Sequence, residues 1–181
     1  MILMIENEYK YIATKNDIKK MRTVILNNDS ILSTERFIQI NYYYDTDDLE
    51  FQAHGTTIRI RQKESGLKLQ IKKKNYYGEN KNLETETKIS NIFNELIVEN
   101  TEVTLKGQLV TDRTRNIFSN GARMDLDINY YCGMVDYEIE IELPDEEGNM
   151  EDVFSLVSNL ASAKMGKATR FYNAKNAILN K

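Results

Sequence analysis

Cysteine, proline and histidine each occur only once in this sequence of 181 residues. The lone cysteine, Cys132, excludes an internal disulfide framework and any cysteine-rich zinc site, and makes a reducing cytoplasm the default compartment. With one proline, Pro144, and eight glycines, few breakers interrupt the chain, so long regular elements are expected. No run of about 18 apolar residues occurs, so no membrane-spanning helix is expected. The apolar start, Met1 to Met4, runs at once into Glu6 and Glu8 with neither a basic region nor a cleavage site, unlike a signal peptide. A net charge of -4 argues against duplex DNA as a partner, since that needs a basic face. What is present is a globular balance, 41% hydrophobic and 29% charged, with 11 tyrosines. The length suits one domain spanning 1–181, and no repeat, low-complexity tract or linker divides it.

The tyrosines with many Ile, Val and Thr lean towards strands. Strands are expected at Ile5–Ala13, Gln39–Asp45, Thr57–Lys63, Leu67–Lys73, Asn82–Ile89, Leu109–Asn116, Ala122–Asn129 and Val135–Leu143, with a turn at Glu64–Gly66. A helix should start at Asn16 or Asp17 and run through Ile18, Met21, Val24 and Ile25. A second helix is expected over Asn91–Asn100 on Ile92, Phe93, Leu96 and Ile97, and a third over Met150–Met165 on Val153, Leu156, Val157 and Leu160. Pro144 ends the last of these strands, Asp145–Asn149 reads as a polar loop, and Arg170–Leu179 as a strand-to-helix passage. The strands are mostly antiparallel by hairpin logic. Either an open sheet with helices on one face or a closed barrel would accommodate them.

Alternate positions on a strand face opposite sides, and here the charged side is sorted strand by strand. Arg59 with Arg61, Lys68 with Lys72, and Arg113 with Arg115 are basic pairs. Asp125 with Asp127, Glu84 with Glu86, and Glu138, Glu140 and Glu142 are acidic. Glu6, Glu8 and Lys10 share one side of the first strand. The opposite positions are mostly apolar, as in Ile58 and Ile60, Leu69 and Ile71, or Ile139 and Ile141. A wet sheet face would mix signs and neutral groups. One-signed rows instead fit a lumen in which basic strands hold a polyanion and acidic strands hold a hard divalent cation.

The quoted residues resemble a known family. E-N-E-Y-K (Glu6 to Lys10), Y-Y-Y-D-T (Tyr42 to Thr46), I-R-I-R (Ile58 to Arg61), L-Q-I-K (Leu69 to Lys72), M-D-L-D (Met124 to Asp127), D-Y-E-I-E-I-E (Asp136 to Glu142) and K-A-T-R-F (Lys167 to Phe171) look like the CYTH, or triphosphate tunnel metalloenzyme, superfamily. The overall look is similar to its small single-domain bacterial members. The resemblance implies an α+β, β-dominated fold: a closed eight-stranded antiparallel β-barrel with flanking α-helices, its tunnel binding a triphosphate with Mg²⁺ or Mn²⁺. It implies Glu6, Glu8, Glu138 and Glu140 as metal ligands, with Asp127 or Glu84 at a second metal. Arg59, Arg61, Lys72 and Arg113 would grip phosphates, with Lys68 a rival to Lys72 in register and Arg115 continuing the Arg113 row. Lys10 and Tyr43 fall where some hydrolytic members place a pair that helps activate water. Charge complementarity favours Lys167 and Arg170 as a cap on the tunnel, the alternative being a solvated tail.

The expected activity is metal-dependent hydrolysis of inorganic tripolyphosphate or an organic triphosphate such as thiamine triphosphate, by a cytoplasmic monomer or homodimer with neither DNA nor membrane as partner. The alternatives are a class IV adenylate cyclase, which needs an adenine and ribose pocket that the sequence does not display, and a non-catalytic polyphosphate or nucleotide binder. An apolar-ligand carrier fits poorly, since its lumen should be apolar. His54, beside Gly55 in a loop, reads as a surface turn residue, and Cys132 as an inert turn residue. Tyr42 and Tyr44 should pack outward against helices.

Overall fold

The computed structural model describes residues 2–144 and 149–179. The polar loop expected at 145–149 therefore lies, apart from Asn149, outside the described residues. Nine strands alternate with four helices: β1 (Ile2–Ala13), α1 (Lys15–Leu26), β2 (Ile31–Asp45), α2 (Glu50–Ala53), β3 (Thr56–Lys63), β4 (Gly66–Lys73), β5 (Lys81–Ile89), β6 (Glu95–Val98), β7 (Thr101–Phe118), β8 (Arg123–Tyr131), β9 (Met134–Leu143), α3 (Glu151–Ser155) and α4 (Lys167–Leu179). Every pairing is antiparallel, in the order β2-β3-β4-β5-β1-β9-β8-β7, and β7 then pairs β2 to close an eight-stranded barrel. β6 is an extra strand outside the closure, hydrogen-bonded to the start of β7.

Closure fixes which side of each strand meets water. The apolar sides face outward under cover. Ile18, Met21 and Ile25 of α1 share one face and pack with Val153 and Val157 over Met124, Leu126, Ile139 and Ile141. Each such side chain contributes about 1.5–3 kcal/mol on burial. α1 is capped by Thr14, whose hydroxyl accepts from the Asp17 amide at 3.2 Å while the Asp17 carboxylate accepts from the Thr14 amide at 2.8 Å. The expected cap at Asn16 or Asp17 is thus corrected: Asp17 is the reciprocal third residue of a capping box.

The other outer cluster corrects two further expectations. The segment 91–100 is not a helix. It makes β6 and a tight turn at Glu99 and Asn100, whose φ values of 51° and 64° are those of a two-residue hairpin loop. Val98 and Val103 from this hairpin cover Ile58, Ile60 and Tyr44. Tyr44 faces outward as expected, but its cover is a hairpin and Phe51 of α2 rather than long helices, and its hydroxyl donates to the Phe93 carbonyl at 2.6 Å. The expected helix over Met150–Met165 stops at Ser155, after which the chain runs back along β1 and forms an isolated bridge between Ser162 and Tyr11. The C-terminal segment is helical from Lys167, with no strand at its start.

α4 closes one end of the barrel. Ala168, Phe171 and Tyr172 press into it against Tyr43, Leu109 and Tyr131. Gly107 allows this approach: a Cβ there would stand 2.8 Å from the Phe171 ring, and its φ of 142° belongs to the region that side chains avoid. Cys132 and Gly133 form the two-residue β8–β9 loop with φ of 49° and 72°, which places Cys132 at a part-buried turn. His54 is exposed at the end of α2. No described helix is long and apolar enough to cross a membrane.

Candidate functional site

The charged sides of the strands line the bore of this barrel. Glu8, Lys72, Glu84, Arg113, Asp127, Glu138 and Lys167 are all buried, although isolated charges of this kind would cost several kcal/mol each. They persist because the walls neutralise one another.

On the acidic side, β1, β8 and β9 stand adjacent, so the Glu6–Glu8–Lys10, Asp125–Asp127 and Glu138–Glu140–Glu142 rows meet. Asp127, Glu138 and Glu140 each bring a carboxylate oxygen within 4.8 Å of the others. The ammonium group of Lys167 sits among them, 2.8 Å from Asp127 and 2.9 Å from Glu140, and also donates to Glu138. Arg170 pairs with Glu138 at 2.6 Å and Asp136 at 2.8 Å. Arg113 reaches from β7 to Asp127 at 2.7 Å and also bonds Asp125 and Glu140. Arg115 bonds Asp125 at 2.8 and 2.9 Å.

The sequence-expected metal set is divided between two places. Glu6 and Glu8 gather around Lys72, with Lys72 to Glu6 at 2.7 Å and Asn82 donating to Glu8 at 2.9 Å. Lys10 is 2.6 Å from Glu8 and 3.8 Å from Glu140, so it bridges the two acid groups. Glu84 stands on β5 directly opposite Lys72 in the β4–β5 ladder, held by Arg59 at 3.0 Å and Gln70 at 2.7 Å. Lys68 and Lys72 both face the bore. Lys72 is deep, whereas Lys68 is at the mouth beside Glu86 and more exposed, 39% against 10%.

Electrostatics follow from these contacts. Burial pushes the Glu8 carboxyl up, but Lys72 and Lys10 outweigh it and hold it below the ordinary carboxylate range. Glu140 is likewise held far down by Lys167, Arg113 and Lys10 against its burial. Its neighbour Glu138 goes the other way, raised by burial and by the Glu140 charge despite Lys167. One of the pair thus takes the anionic burden, as adjoining carboxylates do.

The side built from β2 and β3 differs. Arg61 makes one hydrogen bond, from Nε to the Asn41 side-chain oxygen at 3.0 Å, and no carboxylate of the described residues lies within ion-pair distance. Burial, then Arg59 and Arg113, lower its pKa to about 10. Lys63, over the Phe37 ring at 4.9 Å, also lacks a carboxylate partner among the described residues, and burial with Arg61 and Arg115 lowers it to about 8. Gln39, Asn41 and Tyr43 alternate down the bore side of β2, and the Gln39 amide nitrogen and oxygen, the Asn41 amide nitrogen and the Tyr43 hydroxyl are buried without a partner. The expected Lys10–Tyr43 pair is not joined: Tyr43 stacks with Phe171 at 5.0 Å, no hydrogen bond links it to Lys10, and burial raises its pKa.

The bore opens at the end away from α4 and at its side. A mouth of about 820 Å³ lies between Arg61, Lys68, Arg115 and Arg123 on one side and Leu3, Met4 and Ile5 on another. A waist of about 70 Å³ between Gln39, Arg61, Lys72, Arg113 and Glu140 leads inward, and a side opening of about 500 Å³ follows beside Lys10, Lys74 and Asn82. Sequence reasoning passed over Gln39, Asn41, Gln70 and Asn82, which are neutral, and Lys63, which ends its strand. Their shared parity with the charged rows was the available signal.

The sequence model of the CYTH domain matches residues 4–172. No curated protein sequence matches the chain. Among solved structures, a candidate adenylate cyclase from Bacillus halodurans superposes with a TM-score of 0.75 at 22% identity, covering 95% of this chain and 100% of that one. A candidate adenylyl cyclase from Hippeastrum with a dominant triphosphatase activity superposes at 0.67 and 19%, covering 93% and 95%. A chain of the Schizosaccharomyces pombe Mediator head module superposes at 0.61 and 8%, covering 86% and 96%. At these identities the likeness is one of fold, and barrels of one fold serve different ends. By the match over nearly its whole length, this chain belongs to the CYTH domain family.

Proposed function

We propose that this protein hydrolyses a triphosphate chain held in the bore, with Mg²⁺ or Mn²⁺ supported by the acidic wall. The observation that carries this reading is the unequal state of the two walls. The bore carboxylates of β1, β5, β8 and β9 all have cationic partners, whereas Arg61 and Lys63 have no carboxylate partner among the described residues. A buried guanidinium without an anion is a vacancy for one, and its planar fork suits phosphate oxygens better than a lysine would. The acidic wall fits a hard cation: Asp127, Glu138 and Glu140 offer only oxygen donors, and the ammonium of Lys167 already lies where they converge. Those three would hold the metal, with Glu6 and Glu8 around Lys72 as the second carboxylate pair. Such an ion, when bound, offsets charge building on phosphoryl oxygens and makes water more acidic.

The chain's own groups do the rest. Arg61 and Arg59 from β3 line the waist and hold the phosphates in one orientation, so that the entropy cost of aligning them is met on binding, while Arg113 from β7 holds the acidic wall that faces them. Lys72, Arg113 and Lys167 at the waist are buried, so these charges act at a lower effective dielectric than in water, where they count for more. Lys10 ties the carboxylates of β1 and β9 together and keeps their spacing.

The test is orthophosphate release from tripolyphosphate, thiamine triphosphate, ATP and long polyphosphate, each with Mg²⁺ or Mn²⁺, with cyclic AMP assayed in parallel. Release from at least one triphosphate, lost on chelation, supports the reading; binding without turnover of any of them overturns it in favour of a sensor. One observation favours a second reading. The mouth carries Leu3, Met4 and Ile5 beside its basic groups, room that a nucleoside could occupy, and cyclic AMP as the main product from ATP would make the protein a cyclase.

A further inference from the structure

A protein interior ordinarily pairs its polar atoms, because each one left bare costs about as much as a lost hydrogen bond or more. Four bare atoms lie together on one strand here. The Gln39 amide nitrogen and oxygen, the Asn41 amide nitrogen and the Tyr43 hydroxyl occupy successive bore-facing positions of β2, and their residues are exposed by 1%, 0% and 0%. Gln39 lines the waist, beside Arg61 and Arg113. Asn41 is paired with Arg61 across the β2–β3 ladder and accepts from its Nε, which turns the guanidinium and leaves its outer nitrogens for another acceptor. The outward row of the same strand shows no such deficit: Tyr42 donates to Gln62 at 2.9 Å, and Tyr44 to Phe93 at 2.6 Å.

We propose that the bore side of β2 is an uncharged hydrogen-bonding rail for the substrate's phosphate oxygens, with Gln39 as a direct donor and Asn41 as the residue that aims Arg61. This rests on the triphosphate reading above and adds residues to that site. A neutral rail serves a purpose that more lysines would not. Phosphate oxygens gain donors along the strand, while the waist acquires no further cation to repel Arg59, Arg61 and Arg113 or to be captured by the acidic wall a few ångströms away. A neutral amide stays bare until an anion arrives, whereas an ammonium there would find a carboxylate first, as Lys10, Lys72 and Lys167 have done.

The experiment is calorimetric titration of the full chain with inorganic tripolyphosphate in chelator-treated buffer, where the hydrolysis proposed above does not run, together with thermal unfolding of the ligand-free protein. Gln39→Leu removes the donor and the bare amide at once. It is expected to melt no lower than the unmodified protein and to bind tripolyphosphate tenfold or more weakly, about the size of one hydrogen bond to a charged acceptor. Gln39→Glu, close in shape, should weaken binding further by repulsion and gives the same comparison should the leucine variant fail to fold. Asn41→Asp hands Arg61 the carboxylate it lacks and should also weaken binding tenfold or more, whereas a purely structural Asn41 would leave affinity unchanged. Unaltered affinity in folded Gln39 variants would mean that these atoms are satisfied by water alone and would overturn the rail. If the unmodified protein itself binds neither tripolyphosphate nor any other triphosphate, the functional reading fails first and the rail falls with it.

Discussion

Arg113 on β7 and Arg61 on β3 flank β2 on either side, and they illustrate two uses of a buried guanidinium. Arg113 is saturated, with hydrogen bonds to Asp125, Asp127 and Glu140 that raise its pKa well above the ordinary value despite burial. Arg61 touches one neutral amide, and burial with its basic neighbours lowers it to about 10. The first arginine holds the acidic wall together. The second is held in a state that an arriving anion would relieve. Stability is therefore concentrated on β7–β8–β9 and binding capacity on β2–β3, and substitutions should separate the two.

The largest effect is expected from Arg113→Met, which leaves three buried carboxylates short of a counter-ion. Removing one partner from such a network costs about 3–5 kcal/mol, and urea denaturation at neutral pH should show a loss of that order. The loss should shrink at low pH, where the carboxylates take up protons in the variant, and also on adding Mg²⁺ if the acidic wall takes the ion. A variant as stable as the unmodified protein would break the contrast at its stronger end.

Arg61→Met should do the reverse. It removes a buried cation without an ion-pair partner, so unfolding stability should hold or rise slightly, whereas tripolyphosphate affinity should fall by about 1.5–3 kcal/mol, the range for hydrogen bonds to charged groups. Calorimetry and thermal unfolding on the same sample separate the outcomes. Lost stability with intact affinity would place Arg61 with Arg113 and erase the distinction.

How much of this contrast could be read beforehand depends on distance along the chain. Period-two alternation is local, so the charged sides of β1, β3, β4, β8 and β9 were legible, as was their convergence on a bore once one-signed rows were recognised. The pairing of Lys167 with Asp127 and Glu138 was not, because it depends on how α4 docks, and that is set by Phe171 meeting Gly107 far away in sequence. The segment from Ile92 to Ile97 misled because Ile92, Phe93, Leu96 and Ile97 satisfy helical spacing. A four-residue strand is too short to display its own period, and the hairpin is decided by positive φ at Glu99 and Asn100. Gln39 and Asn41 escaped notice for a different reason: a neutral amide shows its importance only when its neighbours are known to leave it bare.

The α4 closure supplies a middle-sized test. Gly107→Ala places a methyl group 2.8 Å from the Phe171 ring at a backbone conformation that alanine resists. Overpacking of this kind costs about 1–3 kcal/mol. It acts on the end of the bore where Lys167 and Arg170 enter, so Tm should fall while affinity for tripolyphosphate falls less than in Arg61→Met. Equal loss of affinity would mean that α4 places phosphate-binding groups as strongly as β3 does.

The smallest effect separates the mouth from the waist by pH. Lys63 sits over Phe37 with Arg61 and Arg115 nearby, and its burial and those two charges lower its pKa to about 8. An anion binds the ammonium form better than the neutral amine, so affinity contributed by Lys63 is fully present below pH 8 and lost as pH rises through it. Binding also draws a proton onto the fraction of Lys63 that is neutral beforehand, so at pH 8.5 calorimetry in buffers of different ionisation enthalpy should register uptake of part of a proton. Lys63→Met should remove both the uptake and the alkaline decline, leaving a flatter profile at the weaker level, and the difference between the two profiles cancels any ionisation of the phosphate chain itself. Arg61, lowered only to about 10, keeps its charge throughout this window. A decline that survives in Lys63→Met would instead locate the titrating group deeper, among the ammonium groups of the acidic wall.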